Sequence, residues 1–181
     1  MPTYKLYYFP VRGRAEPIRQ ILKMAGQEYE DIRLTFEEWT TRKTEMPFGQ
    51  MPVLEIDGVK IGQTNAIDLS VADGVREWPF VILGQRPGVD KVVFFHENVR
   101  PALEKFAPLF EAQISKNGNH LLVGEKVTWV DFLAAEYFCK FADFGEKDSL
   151  DAYPQIRRLI ERIHSIPAIK EYLAERPITP A

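Results

Sequence analysis

Val53-Leu54-Glu55-Ile56-Asp57-Gly58-Val59-Lys60-Ile61 is the stretch that decides the architecture. Two apolar-rich runs flank Asp-Gly, a pair that readily takes the positive φ angles of a tight two-residue turn, so the segment predicts a β-hairpin. Upstream, the aromatic and apolar run Lys5 to Phe9 predicts a short buried strand. Pro17 opens a stretch in which Ile18, Ile21, Leu22 and Ala25 recur at helical spacing, with Gly26 as its stop. Tyr29 to Leu34 predict a second strand. Strand, helix, strand within about thirty residues is the smallest parallel βαβ unit. The hairpin that follows makes the expected sheet mixed.

Beyond residue 90 the strand signals stop. Val99, Leu103, Phe106, Leu109, Phe110 and Ile114 outline an apolar helical stripe, with Pro101 and Pro108 placed to cap or kink it. Thr128-Trp129-Val130-Asp131 has the form of a capping box, with Val127 able to staple onto Phe132, opening a helix through about Phe141. Ile156, Leu159, Ile160 and Ile163 repeat at i, i+3, i+4, i+7 and are closed by Pro167. The expected fold class is an α+β N-terminal domain followed by an all-α helical bundle domain, divided at residues 1–67 and 68–181.

The 181 residues are 45% hydrophobic, enough for one large domain or two small ones. Net charge is −3 with both signs interspersed, which leaves no electrostatic footprint for nucleic acid. No apolar run is long enough to span a bilayer. The single cysteine, Cys139, excludes an internal disulfide and points to a reducing, cytoplasmic compartment. His96, His120 and His164 carry no metal-ligand spacing, and no metal is expected. His96 and His120 read as solvated, Cys139 as a small buried hydrophobe.

The order of elements, together with Tyr4-Lys5-Leu6-Tyr7-Tyr8-Phe9, Arg12-Gly13-Arg14-Ala15-Glu16, Pro47-Phe48-Gly49-Gln50-Met51-Pro52-Val53-Leu54 and Gln63-Thr64, resembles the cytosolic glutathione transferases, and the sigma class in particular. The capping box at Thr128 resembles a feature of the same family's helical domain. The resemblance implies a thioredoxin-like first domain and glutathione as co-substrate, conjugated to hydrophobic electrophiles. A free thiol, with a pKa near 8.5, is mostly protonated at neutral pH. By the resemblance, Tyr8 donates a hydrogen bond to the glutathione thiolate and Arg14 adds positive charge beside it. Lowering the thiol pKa by about two units corresponds to roughly 2.7 kcal/mol of preference for the charged form.

The same resemblance places Trp39 and Lys43 at the glycine end of glutathione. Gln50 lies in a glutathione-site segment, and Met51 offers backbone groups to the cysteinyl part in edge-strand fashion. Pro52 matches a cis-proline. Gln63 and Thr64 match the pair that receives the γ-glutamyl carboxylate at a helix N-terminus. It also implies a homodimer in which an acidic residue, here Asp73 or Glu77, reaches the neighbouring site. Tyr7, on the opposite side of the strand from Tyr8, reads as packing.

The chain is compressed after Ile67 relative to this family, by about two dozen residues, a helix plus a linker. A sheet face stripped of its covering helix exposes apolar surface worth several kcal/mol at about 25 cal/mol per Å². Ile67, Val71 and Val75, spaced at four residues within Ala66 to Val75, could lie on the sheet in its place. Two other functions stay open: glutathione-dependent isomerisation of a prostaglandin-like lipid, and hydrophobic-ligand binding or a structural role without catalysis.

Overall fold

The computed structural model describes residues 3–62 and 77–179, which fall into two compact units on either side of the stretch between them. The expected reuse of Ala66 to Val75 lies outside the described residues.

In the first unit, β1 (Tyr4–Tyr8) leads through a 3₁₀ turn (Gly13–Ala15) into α1 (Glu16–Met24) and then β2 (Glu30–Arg33). α2 (Phe36–Arg42) and two short 3₁₀ turns follow, then the hairpin β3 (Val53–Ile56) and β4 (Val59–Gly62). The sheet order is β2-β1-β3-β4, parallel between β1 and β2 and antiparallel elsewhere. The hairpin closes as its Asp-Gly pair predicts, with φ of 49° at Asp57 and 84° at Gly58.

Alternation along β1 sorts its side chains onto two faces. Tyr7 joins Leu34, Met46 and Val53 on one, while Leu6 and Tyr8 join Ala15 on the other. Helix α1 forms where expected, yet its buried face is not the expected one. Glu16, Pro17, Arg19, Gln20 and Leu22 are buried, Ile18 and Ile21 are half-buried and Ala25 is exposed. The cause is an ion-pair network rather than apolar periodicity: Arg19 pairs with Glu16 at 3.2 Å and with Asp31 of β2 at 3.2 Å. Helix α2 is not among the expected elements, although its start carries a complete capping box. Thr35 accepts from the Glu38 N–H at 3.2 Å, and the Glu38 carboxylate accepts from the Thr35 N–H at 2.7 Å.

The second unit contains, among the described residues, α3 (Trp78–Ile82), α4 (Lys91–Phe94), α5 (Arg100–Asn117), α6 (Trp129–Lys140), α7 (Pro154–Ser165) and α8 (Pro167–Glu175). Wide π turns at Phe95–Val99 and Phe141–Gly145 precede α5 and follow α6. The all-helical expectation holds here. Leu103, Ala107 and Ile114 of α5, Phe132 and Phe138 of α6, Ile156, Leu159 and Ile163 of α7, and Ile169 of α8 are buried. Leu109 leaves the expected stripe and is 64% exposed. Pro101 sits in the first turn of α5, directly after the π turn at Phe95–Val99. Pro167 does more than close α7, since it opens α8.

Carboxylates fasten the helix starts. Asp131 accepts from the Thr128 N–H at 2.7 Å and the Leu122 N–H at 2.9 Å, tying the preceding loop to α6. Glu111 of α5 accepts from the Gln155 and Ile156 N–H groups at 2.8 and 3.0 Å, capping α7 from a neighbouring helix. No helix among the described residues is long and apolar enough to cross a membrane.

Candidate active site

Tyr8 ends β1, and only 9% of its surface is exposed. Its main-chain carbonyl accepts from Leu34 N–H at 2.8 Å, so the parallel pairing with β2 holds the residue at a strand end. Beyond it the chain turns back over the tyrosine's own ring. Gly13 adopts φ +40°, and a Cβ built there would stand 2.5 Å from the Tyr8 hydroxyl oxygen and 2.6 Å from ring carbon Cε1. Only glycine admits so close an approach at that φ. The closure brings the Arg14 backbone N–H to 3.2 Å from the Tyr8 hydroxyl, which accepts from it. The Arg14 side chain is exposed.

Behind this turn lies the buried charge network that sequence reasoning missed. The Arg19 guanidinium donates from Nη1 to the carbonyls of Val11 at 2.9 Å and Arg12 at 3.3 Å, and from Nε to Asp31 at 3.2 Å. Glu16 is 1% exposed and Arg19 is fully buried. A readable signal existed in Glu16 and Arg19, opposite charges at i, i+3 with a third charge, Asp31, one strand away. Helical periodicity points to Ile18 and Ile21 instead.

Of the other candidates, Met51 packs against both faces' clusters, and its bond to the buried Pro52 is cis, as the family match implied. Trp39 is half-buried and meets Phe9 edge-on at 6.0 Å, while Phe9 meets Tyr8 at 5.7 Å and stacks on Phe36 at 4.5 Å. Phe9 is therefore the centre of an aromatic cluster that touches Tyr8, Phe36 and Trp39. Lys43 and Gln50 are exposed beside the Pro47–Gly49 turn, the lysine stem lying along Gly49. Gln63, Thr64 and Asp73 lie outside the described residues. Glu77 is engaged within its own chain by Arg86, whose Nε is 2.7 Å away.

Arg14 thus offers its backbone N–H to the hydroxyl at the end of β1 while its side chain stays exposed, and a cis-proline leads into β3, an inner strand of the sheet. Residues 2–69 match the glutathione S-transferase N-terminal domain, and residues 86–176 match the glutathione S-transferase C-terminal domain. The chain belongs to the glutathione S-transferase family. The probable glutathione S-transferase gst-36 of Caenorhabditis elegans is 43% identical over an alignment of 211 residues that covers all of both chains. Among solved structures, NaGST-2 superposes with a TM-score of 0.89 at 38% identity, covering all of both chains. Monomeric Na-GST-3 from the hookworm Necator americanus gives 0.82 at 35% identity with 98% of each chain covered. Prostaglandin synthase D of Nilaparvata lugens gives 0.76 at 26% identity, covering 97% of this chain and all of that one. The first unit is thus the family's thioredoxin-like domain and the second its helical domain.

Tyr7 shows why its neighbour is the better candidate. Its hydroxyl donates to the Glu55 carboxylate at 2.9 Å, and Arg42 and Lys60 lie over its ring at 5.5 and 5.3 Å. Burial, reinforced by the hydrogen bond to Glu55, raises its pKa. Tyr29 is pushed up to about 12 by burial and then by Asp31.

In the helical unit, Glu136, Cys139 and His164 bring one potential metal-ligand atom each to within 4.8 Å of one another. Sequence spacing hid this group, because His164 comes from α7. The same Glu136 carboxylate faces Arg176 at 3.7 Å, so a permanent positive charge already stands beside it. Neither of the other histidines is simply solvated. His96 Nε2 lies 3.0 Å from Glu146, and His120 Nδ1 lies 2.9 Å from the Gln155 carboxamide oxygen.

Proposed function

We propose that this glutathione S-transferase is of the sigma type and conjugates reduced glutathione to hydrophobic electrophiles. The observation that carries the reading is the Arg14 N–H donated to the Tyr8 hydroxyl beneath a glycine that closes over the ring. An N–H received by the phenol oxygen polarises its O–H outward, making it a stronger donor toward a thiolate. Stabilising the charged form of the thiol lowers its pKa and raises the fraction of nucleophile at neutral pH. Arg14 contributes its charge from the exposed side of the turn.

In this proposal Trp39 and Lys43 hold the glycine end of glutathione, Met51 offers backbone groups to its cysteinyl part, the cis Pro52 holds that backbone in place, and Gln50 belongs to the glutathione-binding set. Gln63 and Thr64 receive the γ-glutamyl carboxylate. The proposed division is 1–67 and 68–181. A helix and linker are read as missing after about residue 67, a reading supported by the 211-residue alignment with gst-36 against 181 residues here. The proposed compartment is the cytoplasm and the proposed assembly a homodimer. Sedimentation giving a single-chain mass would align this protein with monomeric Na-GST-3 and overturn the dimer.

The test is Tyr8→Phe with a chromogenic electrophile. Turnover falls at least about tenfold, as expected on losing a donor to developing charge, while glutathione affinity stays within a few-fold. Unchanged turnover overturns the assignment of Tyr8. A second reading, glutathione-dependent isomerisation of a prostaglandin-like lipid, is favoured by the likeness to prostaglandin synthase D. Product analysis with an endoperoxide substrate separates the two, since isomerisation regenerates glutathione and conjugation consumes it.

A further inference from the structure

We infer that Arg19 is a positioning residue for the Tyr8 hydroxyl, acting through the Val11–Arg14 turn; the inference rests on the proposed role of Tyr8. A guanidinium removed from water is tolerated only when charges and hydrogen bonds replace the lost solvent. The bonds found here are unusual in what they connect. Nε donates to both Asp31 carboxylate oxygens, which joins α1 to β2, while Nη1 meets Glu16 of the same helix and the carbonyls of Val11 and Arg12. Those carbonyls belong to the two peptide units that lead into the Gly13–Arg14 peptide, whose N–H meets Tyr8, so the guanidinium grips the turn just before that donor. The Arg12 carbonyl also accepts from the Glu16 N–H at 3.0 Å, which fixes the start of α1 to the same point.

The geometry requires a fork. Nε faces Asp31 while Nη1 faces the turn, and a planar guanidinium spans both at once. Lysine keeps the charge but carries it as a point, so it can serve one side or the other. Once the grip is lost, the glycine at φ +40° has neighbouring conformations available, and the Arg14 N–H leaves the phenol oxygen. The phenol then becomes a weaker donor.

The experiment compares wild type with Arg19→Lys after a cooperative melt is verified for each. Ring-labelled tyrosine NMR of the ligand-free protein follows ionisation of Tyr8, its signal assigned by its loss in Tyr8→Phe. The absorbance of bound glutathione thiolate is followed against pH in parallel. In Arg19→Lys the Tyr8 phenol pKa rises measurably, and the bound thiol pKa rises by about one unit, a tenfold change in its ionisation constant. The loss in kcat/KM, about tenfold at pH 6.5, shrinks as pH rises, and glutathione affinity changes by no more than about threefold. A merely structural residue would lower the melting temperature and leave both pKa values in place, and that result overturns the inference.

If Arg19→Lys fails to fold, Asp31→Asn takes its place. Its side chain is 23% exposed, and the substitution weakens the Nε anchor of Arg19 and the pair with Arg33 at 2.8 Å while leaving the Nη1 contacts to the turn, so a smaller shift in the same direction is expected and none overturns the inference. Should wild type bind no glutathione, the proposed function fails, while the Tyr8 phenol measurement still decides whether Arg19 sets that hydroxyl.

Discussion

The two faces of β1 carry adjacent tyrosines that share a backbone and differ in nearly everything else. On one face Tyr7 gives its proton's hydrogen bond to Glu55, and burial together with that carboxylate favours the neutral phenol against the opposing pull of Arg42 above its ring. On the other, Tyr8 receives an N–H from Arg14, and the proposed function directs its own O–H to the glutathione sulfur. Residue type is therefore no guide to role here. The direction in which the phenol's hydrogen bond runs is the guide, because a donor already spent on a carboxylate cannot stabilise a second anion.

The largest expected effect breaks the Tyr8 side alone. Tyr8→Phe lowers turnover at least about tenfold, whereas Tyr7→Phe leaves turnover within about twofold and costs about 1 kcal/mol of stability in denaturant melts, the worth of a half-buried charge-assisted hydrogen bond. Equal turnover losses in the two variants would erase the contrast. Next comes Gly13→Ala. The added methyl meets the Tyr8 oxygen at 2.5 Å and forces a left-handed residue, so stability falls by about 1–2 kcal/mol and turnover by roughly tenfold. Wild-type kinetics in that variant would mean the turn can open without consequence.

Alkaline pH sharpens the comparison from the other side. Tyr7 and Tyr29 have folded pKa values raised above the ordinary 10.0, the second to about 12. Their contribution is fully present below pH 10 and is lost as pH rises through the folded values. Stability thus declines above pH 10, and Tyr29→Phe flattens that decline in a pH series of denaturant melts.

The smallest effect lies away from β1. The backbone N–H and hydroxyl of Thr35 hold the Glu38 carboxyl below its ordinary 4.5. The stabilisation is present above that value and disappears as pH falls through the folded one. Glu38→Gln lowers the melting temperature by about 2–4 °C at pH 7 and by less at pH 3.

Local chemistry made much of the first unit legible. Asp57-Gly58, the stop at Gly26 and the alternation that separates Tyr7 from Tyr8 each depend on residues within a few positions of one another. Helix α2 was equally local and could have been found from Thr35 and Glu38. The site was legible only in part. Tyr8, Arg14, Met51 and Pro52 came from a family resemblance, but the Gly13 approach and the grip of Arg19 carry no linear pattern. Periodicity misjudged α1 because it counts only apolar side chains, and here polar ones face inward. The Glu136, Cys139 and His164 group was hidden for a related reason: its third member arrives on another helix.

The sequence by itself determined the turns, the caps, the order of elements and the face on which each tyrosine lies, since these follow from backbone sterics and a period of two or 3.6 residues. Only the tertiary structure decided that Glu16 and Arg19 would be buried and that Gly13 would close over Tyr8. A buried charge is tolerable only if partners distant in sequence replace its water, and whether Asp31 and two carbonyls stand there is settled by how strand, turn and helix pack.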